Sequence, residues 1–399
     1  MMSMINPSLD HPEVRGFDEV SEATKNYLDL LSGKESESER DPGLLITNED
    51  VRRIRRYVKA GLELPTDLEE VRQLLNNQNS NIKGLEAEDI QVLYQGINTH
   101  ARSWAPIESD MKEVGSDLNV FAGNLITTGQ EMIQFITSLE SYQQRKVGDL
   151  TPDEIDRLPP VDMLPDDHKK IPALLSLVDE LKGYVKEHSD STQRVKSSIS
   201  TFKDMLKNDI APSVNLKIQL IASGNTNEVL ALLNSEIALL NERIQQKIKE
   251  YEEYSKFKWL GFWWGPIGGG ISYSIWGPKA AQANRDKEAL MAQKRQLEIQ
   301  VEQINRLSAA LLKLETDMQD LQIRMEGAAS SVSNLESLWV LLDELVDSSY
   351  RRFEGITNAM YLVSFVSRFK TVIANWEDIK KQSWDLLTAF NNALDEKDA

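Results

Sequence analysis

Residues 307–346 decide the fold class of this chain; they read LSAALLKLETDMQDLQIRMEGAASSVSNLESLWVLLDELV. Apolar side chains recur there in alternating steps of four and three residues, which is a 3.5-residue repeat sustained over more than five heptads. Such a repeat is the signature of a coiled coil, in which one face of a long helix packs against a partner helix. The apolar seam consists of Leu307, Leu311, Leu314, Met318, Leu321, Met325, Ala328, Val332, Leu335, Trp339, Leu342 and Val346.

A second apolar repeat precedes this one and is separated from it by an uncharged segment. Helical periodicity covers residues 173–258, with interruptions near Pro212 and Gly224, and it resumes over residues 279–350. Because arms of comparable length flank residues 259–278, we expect an antiparallel hairpin with that segment at its tip. An arm of about 70 residues would be roughly 105 Å long at 1.5 Å per residue. The first arm presents Leu233, Ile237, Leu240, Ile244, Ile248 and Tyr251.

The remaining sequence predicts a helical bundle at the far end of this stalk. Residues 1–42 are expected to form a partly flexible segment with a short helix over 18–32, and residues 43–172 the tail-bundle helices and a proline-rich linker. Residues 351–399 are expected to form a C-terminal helix that packs on this bundle. The predicted fold class is therefore all-α: an elongated helical bundle tail, a long antiparallel coiled-coil stalk and a hydrophobic tip hairpin.

Three local features in the tail can be predicted from capping and proline chemistry. Thr66 is expected to cap a helix, with Glu69 as its reciprocal partner. The long helical pattern over residues 86–144 is expected to bend at Pro106. The last helix, near residues 356–394, presents an apolar face of Met360, Phe365, Phe369, Ile373, Trp376 and Leu387.

Composition excludes several classes of partner. The 399 residues carry a net charge of −18, which argues against nucleic acid and against simple electrostatic docking on anionic lipid. There are no cysteines, so disulfides and thiolate metal sites are excluded. The N-terminal sequence has no basic region followed by an apolar stretch, so no secretory signal peptide is expected. No helix-like apolar run has the length that a bilayer requires, and we expect a soluble fold.

The segment 259–278, WLGFWWGPIGGGISYSIWGP, contains no charged residue and holds four of the eight tryptophans. Its glycines between positions 265 and 270 are expected to supply the chain reversal. Six aromatic side chains that bury about 200 Å² each amount to more than ~1,000 Å² of apolar surface, more than a monomer normally exposes. This surface must therefore enter lipid, fold back on the protein as a structural cap, or bind a protein partner.

Two features of this segment favour lipid. Tryptophan and tyrosine suit the headgroup boundary because each joins an apolar ring to a polar group. The nearest charged residues, Lys256, Lys258, Lys279 and Arg285, are all positive and could form a headgroup collar. Each half of the tip spans only ~14 Å as helix, about half of the hydrocarbon core, so we expect shallow insertion. The candidate membrane-interacting residues are Trp259, Leu260, Phe262, Trp263, Trp264, Pro266, Ile267, Ile271, Tyr273, Ile275 and Trp276.

The residues that could support catalysis are dispersed. His11, His100, His168 and His188 lie far apart and have no metal-ligand spacing, and His100 is expected to be a packed or surface histidine. The glycines of the tip lack the Gly-Lys-Ser/Thr ending of a phosphate loop. We therefore expect neither an enzyme nor a cofactor.

The chain resembles the A component of the α-xenorhabdolysin-type binary toxins, relatives of cytolysin A among the α-helical pore-forming toxins. The resemblance covers most of the chain from about residue 44. It rests on residues 46–51 (ITNEDV), 52–57 (RRIRRY) and 61–66 (GLELPT), together with the proline linker, the long hairpin and its glycine–tryptophan tip.

The resemblance implies a two-component cytotoxin. An A component of this kind is a soluble monomer released without the ordinary secretory route. It engages host-cell membrane lipid through its tip and recruits a second protein, the B component, into a ring-shaped hetero-oligomeric pore. The alternative from another class is a structural coiled-coil tether or scaffold whose apolar tip docks on a protein.

Overall fold

The computed structural model describes residues 48–75, 82–145, 150–224, 228–258, 266–302 and 305–395. Within these ranges every regular element is helical, apart from one isolated bridge between Asp162 and Asn358, so the prediction of an all-α fold is confirmed. The helices are α1 Asn48–Leu62, α2 Leu68–Leu74, α3 Ala87–Arg102, α4 Trp104–Ser138, α5 Glu140–Gln143, α6 Pro152–Asp156, α7 Pro165–His168, α8 Ile171–Met205, α9 Ala211–Gly224, α10 Glu228–Lys258, α11 Pro266–Glu302, α12 Arg306–Glu354 and α13 Ala359–Asp395.

The body of the molecule is formed by the long helices α4, α8, α12 and α13. Helix α12 packs on α8, α8 on α4, and α4 on α13. The predicted seam of α12 is buried from Leu311 to Val346, and Leu307 is partly buried. At its centre the Trp339 indole donates a 2.8 Å hydrogen bond to the Thr192 hydroxyl, and Phe121 meets Trp339 edge-on at 5.1 Å between ring centroids. The body is thus an apolar bundle built around this seam.

Helix α8 continues into α9 through a π-helical turn, Leu206–Ile210. Before this turn the buried residues of α8 alternate in steps of three and four, and across it they follow in steps of four, at Phe202, Leu206, Ile210 and Val214. A π turn holds one more residue than an α turn. The additional residue therefore keeps the apolar stripe of α9 facing its neighbours.

The structure differs from the sequence prediction in the continuity of the two arms, whereas the pairing of the arms agrees: α8 and α10 of the first arm pack on α12 and α11 of the second. Both predicted arms are divided: α9 ends at Gly224 before α10 begins, and α11 ends at Glu302 before α12 begins. The second division is capped by Asn305, whose side-chain oxygen accepts a 3.0 Å hydrogen bond from the Ser308 amide. As a result α10 and α11, of 31 and 37 residues, form a shorter hairpin that folds back along α12. The seam of α12 packs on α8, which belongs to the opposite predicted arm, and the fold-back of the shorter hairpin adds a second contact between α11 and α12 that the sequence did not predict.

Several local predictions also need correction. Asp67, and not Thr66, caps α2, and it accepts a 2.9 Å hydrogen bond from the Glu69 amide. The predicted bend at Pro106 is a break at Ser103, because the Ser103 hydroxyl donates to the His100 carbonyl, and Pro106 falls in the first turn of α4. The glycines at 268–270 belong to helix α11 instead of forming the reversal.

The structure describes the proline-rich linker and the last helix of the predicted tail but not its N-terminal part. The proline-rich linker contains the one-turn helices α6 and α7, and the bridge at Asp162 ties it to the start of α13. The predicted helix over residues 18–32 lies outside the described residues. The predicted apolar face of the last helix is buried at all six positions, and α13 packs mainly on α4.

Candidate functional site

The hairpin of α10 and α11 holds the predicted membrane-interacting segment at its turn. Residues 259–265 lie outside the described residues, and with them Trp259, Leu260, Phe262, Trp263 and Trp264. The other candidates lie on the first three turns of α11: Pro266, Ile267, Ile271, Tyr273, Ile275 and Trp276. The prediction that these side chains contact lipid stays a prediction.

The proposed basic collar is only partly gathered at the turn. Lys256 and Lys258 lie in the last turn of α10, and Lys279 lies across from them, with its ammonium 5.8 Å from the ring centroid of Tyr254. Arg285 lies six residues further along α11, about 9 Å by helical rise, and its guanidinium bonds Gln282 at 2.8 Å. Three of the four cations therefore lie close to the turn.

Within the hairpin, α10 and α11 are joined by apolar contacts. One cluster, near the end of α11, joins Leu230, Leu233 and Ile237 to Val301 and also includes Ala309 and Leu312 of α12. Ile244 and Ile248 form another with Leu290 and Met291, and Ile323 of α12 belongs to it as well. Burial of aliphatic side chains on both helices makes the hairpin a coherent unit.

The contact between this hairpin and the body has a different chemistry, because charged side chains lie at its centre. The Lys287 ammonium, with no exposed side-chain surface, contacts the Asp320 carboxylate of α12 at 2.8 Å and its neighbour Glu288 at 2.9 Å. Arg53 of α1 contacts Glu288 at 2.7 Å, and Arg324 of α12 contacts it at 3.1 Å. A buried ionic network thus joins α11 to α1 and α12.

Asp50 completes this network, which then holds three cations and three anions. Its carboxylate lies 2.6 Å from the Arg324 guanidinium, and Arg53 approaches Asp320 at 3.3 Å. A balanced set of this kind offsets the cost of removing charges from water only while every partner is present. Loss of one member would leave the others buried and unpaired.

A second polar cluster lies one heptad further along α11. The buried Lys294 ammonium contacts Glu315 of α12 at 2.6 Å. Asn241 of α10 donates to the same carboxylate at 2.8 Å, and Gln319 donates to the Asn241 side chain at 3.3 Å. One turn further along α11, the Glu298 carboxylate accepts a hydrogen bond from the Thr316 hydroxyl. At three positions along its length, therefore, α11 meets α12 through polar groups.

The charge state of each of these carboxyl groups depends on the balance between burial, which raises its pKa, and neighbouring cations or hydrogen bonds, which lower it. Burial alone would raise the pKa of Asp320, but Lys287, Arg324 and Arg53 outweigh it and hold the pKa at about 2. For Glu298 burial prevails over the Thr316 hydrogen bond and raises the pKa. Asp317 lies on α12 in the same interface, and burial raises its pKa as well. The interface therefore contains both firmly ionised and readily protonated carboxyl groups.

The polar interface is also incompletely filled. A cleft of about 340 Å³ lies between α9, α10 and α12, and Lys207, Glu242, Lys249 and Glu252 are among the residues that line it. Lys207 and Glu252 face each other there at 3.8 Å. Hairpin and body are thus less tightly joined than the two helices of the hairpin.

His100 anchors the junction where α1, α3 and α8 meet close to the π turn. Its ring stacks on Phe202 at 3.9 Å between centroids, and one ring nitrogen donates to the Phe202 carbonyl at 3.0 Å. The other nitrogen then accepts from the Tyr57 hydroxyl at 2.7 Å. Burial lowers the pKa of His100, so the neutral ring is favoured. The histidine is therefore a packed structural residue, one of the two roles expected from the sequence.

The sequence prediction did not place Lys287 and Lys294 in a buried interface, although their spacing along α11 indicates one. The buried stripe of α11 runs through Ala283, Lys287, Leu290, Lys294 and Val301, again in steps of three and four with one longer step. Charged residues at two positions of an apolar repeat could have been recognised as buried polar contacts.

None of the helices in the described part of the chain has an apolar stretch long enough to cross a membrane. The same ranges contain no group of three or more His, Asp or Glu side chains that could hold a metal ion.

Comparison with known proteins gives solved structures only, because no family model and no curated protein matches the sequence. The chain is similar to YaxA from Yersinia enterocolitica, with 29% identity over 88% of this chain and 98% of that one and a TM-score of 0.49. It is similar to XaxA from Xenorhabdus nematophila, with 26% identity over 89% and 99% and a TM-score of 0.46. Soluble SmhA, of the tripartite alpha-pore forming toxin Smh from Serratia marcescens, is 11% identical over 96% and 95%, with a TM-score of 0.52. The chain thus shares its fold with SmhA and resembles the A components of the α-xenorhabdolysin type, as its sequence predicted.

Proposed function

We propose that this chain is the A component of a two-component α-helical pore-forming cytotoxin. In this role it engages host-cell membrane lipid through residues 259–276 and assembles with a B component into an oligomeric pore. One observation carries the proposal: an uncharged, aromatic-rich sequence lies between α10 and the first turns of α11, two helices whose contact with the body contains buried charged side chains beside apolar ones. The family resemblance supports the requirement for a second protein.

The two interfaces of α11 suggest how the segment reaches lipid. When the hairpin parts from α12, the surfaces that become exposed carry Lys287, Lys294 and Asp320, which water can solvate. The parting also exposes Ala309, Leu312 and Ile323 of α12, so it has an apolar cost that burial of the tip in lipid must offset. Transfer of about 1,000 Å² of tip surface into lipid would contribute up to ~25 kcal/mol of favourable free energy, before the entropic cost of ordering is subtracted. Lipid burial of the tip is large enough to drive the release.

The depth of insertion is limited by the charges next to the turn. Lys256, Lys258 and Lys279 would enter the hydrocarbon if the turn moved much deeper than one half of the bilayer. We therefore propose shallow insertion by this chain, with the B component completing the conducting wall.

The first test is lysis by the purified chain, alone and with candidate B components, with oligomers sized in detergent. Lysis only in combination, with a mixed oligomer of defined size, is expected. A chain that binds no vesicles and lyses no cell with any partner would favour the rival role, a coiled-coil tether or scaffold that docks on a protein.

A paired substitution tests the segment itself. Trp263→Ser with Trp264→Ser should abolish both vesicle binding and lysis, because two indole rings are lost from the surface that enters lipid. The matched control is Trp384→Ser, which removes an exposed tryptophan of α13 (58% exposed). Unchanged lysis in the double variant would refute the role of the segment.

A reversible crosslink tests the release of the hairpin. The chain has no cysteine, so Asn241→Cys and Gln319→Cys introduce the only two thiols, one on the hairpin and one on α12. Bridging them with a reducible bifunctional reagent should block lysis, and reduction should restore it. The single variant Asn241→Cys, treated with the same reagent, controls for modification alone. Full lysis by the bridged protein would show that the hairpin stays docked.

A further inference from the structure

Two buried carboxylates in the contact between the hairpin and the body lack a cation of their own. Glu298 of α11 and Asp317 of α12 are 7% and 8% exposed. Among the described residues neither forms an ion pair, whereas Asp320 faces the Lys287 ammonium at 2.8 Å. Glu298 accepts a hydrogen bond from the Thr316 hydroxyl, and Oδ2 of Asp317 is buried without a donor in the described part of the chain. When ionised, both groups have lost hydration without gaining a full partner.

The charged groups around these two carboxylates lie on three helices. They are Lys294 and Arg295 of α11, Lys313, Glu315 and Asp320 of α12, and Arg56 of α1. The nearest helix on the other side, α10, packs beside Val301 with Leu233 and Ile237, and its Glu236 is exposed. Lys294 is already bonded to Glu315 at 2.6 Å. Burial therefore prevails over these cations and raises the pKa of both Glu298 and Asp317.

Parting of the hairpin from α12 would return both carboxyl groups to water, where their pKa values are the ordinary ones of about 4. A group with a higher pKa in the docked state takes up a proton on docking. Docking then strengthens as the pH falls through the docked-state pKa, and levels off near the ordinary value. At Asp320 and Glu288 burial is outweighed by neighbouring cations and the pKa is lowered, so these two anions stay ionised over the same range.

Histidine makes no contribution within the hairpin or its partner helix. The sequences of α10, α11 and α12 contain none. The two buried histidines, His100 and His188, lie in the main core against Phe202 and Trp339, with ring centroids 3.9 and 5.5 Å apart. A change of docking in mild acid is therefore attributed to carboxyl groups.

We propose that Glu298 and Asp317 form a proton latch: mild acid holds the hairpin of α10 and α11 docked on α12, and neutral pH loosens it. The latch is a property of the free chain. Its consequence for lysis rests on the proposed function, in which the hairpin must part from the body to reach lipid. The chain would then be held inactive in mildly acidic surroundings and become competent at neutral pH.

Thiol labelling of single-cysteine variants measures the parting without lipid or a partner. Ile323→Cys places the only thiol of the chain on the face of α12 that packs against Ile248 and Leu290 of the hairpin. The labelling rate, divided by that of a cysteine peptide at the same pH, reports how often the hairpin parts. This ratio should fall at least about tenfold from about pH 7.5 to about pH 5, because each carboxyl group contributes up to tenfold per pH unit. Val332→Cys, in the main core on the same helix, is the matched control and should be labelled far more slowly.

Neutral isosteres assign the effect to the latch. In the Ile323→Cys background, Glu298→Gln with Asp317→Asn should lower the ratio at about pH 7.5 to the level of the parent in acid, and should remove its pH dependence. The control Glu302→Gln with Asp343→Asn removes two exposed carboxylates from the same two helices and should keep the pH dependence.

Two results would overturn the latch. One is a labelling ratio for Ile323→Cys that does not change with pH. The other is a pH dependence that persists in the variant with Glu298→Gln and Asp317→Asn, which would assign it to other groups. Lysis with a B component should be weaker in acid, and weak at neutral pH in that variant. Because labelling needs neither membrane nor B component, absence of lysis beside an intact latch would refute only the proposed function.

Discussion

Helix α12 meets two partners through opposite chemistries. Towards α8 it presents aliphatic and aromatic side chains, with Trp339 fully buried among rings, and towards α11 it presents carboxylates that receive Lys287 and Lys294. An apolar contact is stable because separation exposes it to water, whereas a buried ionic contact loses little when water replaces both partners. The same helix therefore carries one apolar interface and one interface in which buried charges accompany apolar contacts.

The largest effect is expected at the apolar interface. Trp339→Ala should lower the free energy of unfolding by about 3–5 kcal/mol, because it leaves a large cavity and removes the partner of the Thr192 hydroxyl. Urea denaturation followed by circular dichroism measures this loss. A loss below about 1 kcal/mol would mean that the body does not depend on the seam.

A smaller and local effect is expected at the ionic interface. Lys287→Met leaves Asp320 and Glu288 with one cation fewer in a buried site, and should weaken hairpin docking by about 2–3 kcal/mol. Amide hydrogen exchange should rise in α10 and α11 while α4, α8 and α13 stay protected.

The control for this variant is Lys287→Met combined with Asp320→Leu, which replaces the pair by apolar side chains. Because the unpaired charge is then removed, protection of α11 should largely return. Equal deprotection of the body and the hairpin by Lys287→Met would contradict the distinction between the two interfaces.

The junction at His100 adds a dependence on pH. The unfolded chain takes up a proton near the ordinary histidine pKa of about 6.5, while the folded chain, in which this pKa is lowered, does not. Stability contributed by His100 is therefore present above about pH 6.5 and is lost as the pH falls below it. Glu298 and Asp317, whose pKa values are raised, act in the opposite direction and favour the folded state in acid.

His100→Gln isolates the histidine contribution, since the amide can donate to the Phe202 carbonyl and accept from Tyr57 without titrating. We expect unfolding free energy to fall more steeply between about pH 7 and about pH 5.5 in the wild type than in this variant. The difference should be smaller than the effect of Lys287→Met. Identical slopes would show that His100 is protonated equally in both states.

The smallest effect is expected for an ion pair at the exposed edge of the α8–α12 interface. Lys182 of α8 bonds Asp347 of α12, but both side chains remain largely exposed to water. Lys182→Ala should change stability by less than about 0.5 kcal/mol, and high salt should remove even that. A loss comparable with that of Lys287→Met would mean that burial does not set the strength of these pairs.

The sequence predicted the helices and the pairing of the two arms better than the breaks within each arm. The seam from Leu311 to Val346 and the buried face of α13 follow from periodicity, because burial of one helical stripe repeats with the helical turn. The additional contact of α11 with α12 depends on where the helices end, here at Gly224 and at the Asn305 cap. Those stops convert one predicted long hairpin into a body and a folded-back hairpin.

The buried charged residues between α11 and α12 were harder to predict than the aromatic segment. Lysines are nearly always exposed, so Lys287 and Lys294 are expected at the surface unless their carboxylate partners are known. Those partners, Asp320 and Glu315, lie more than 20 residues away in the same predicted arm, which was expected to be one continuous helix and therefore unable to fold back on itself. The aromatic turn, by contrast, is evident from its composition alone.

The π turn at Leu206–Ile210 sets the angular phase of everything that follows it in this half of the molecule. Removal of one residue from this turn would let it relax to an ordinary α-helix, but would rotate α9 by about 100° about its own axis. Val214 and Ile221, which α9 now buries in the main core, would then turn away from it. One extra residue in a single turn thus keeps two successive helices in phase with the same core.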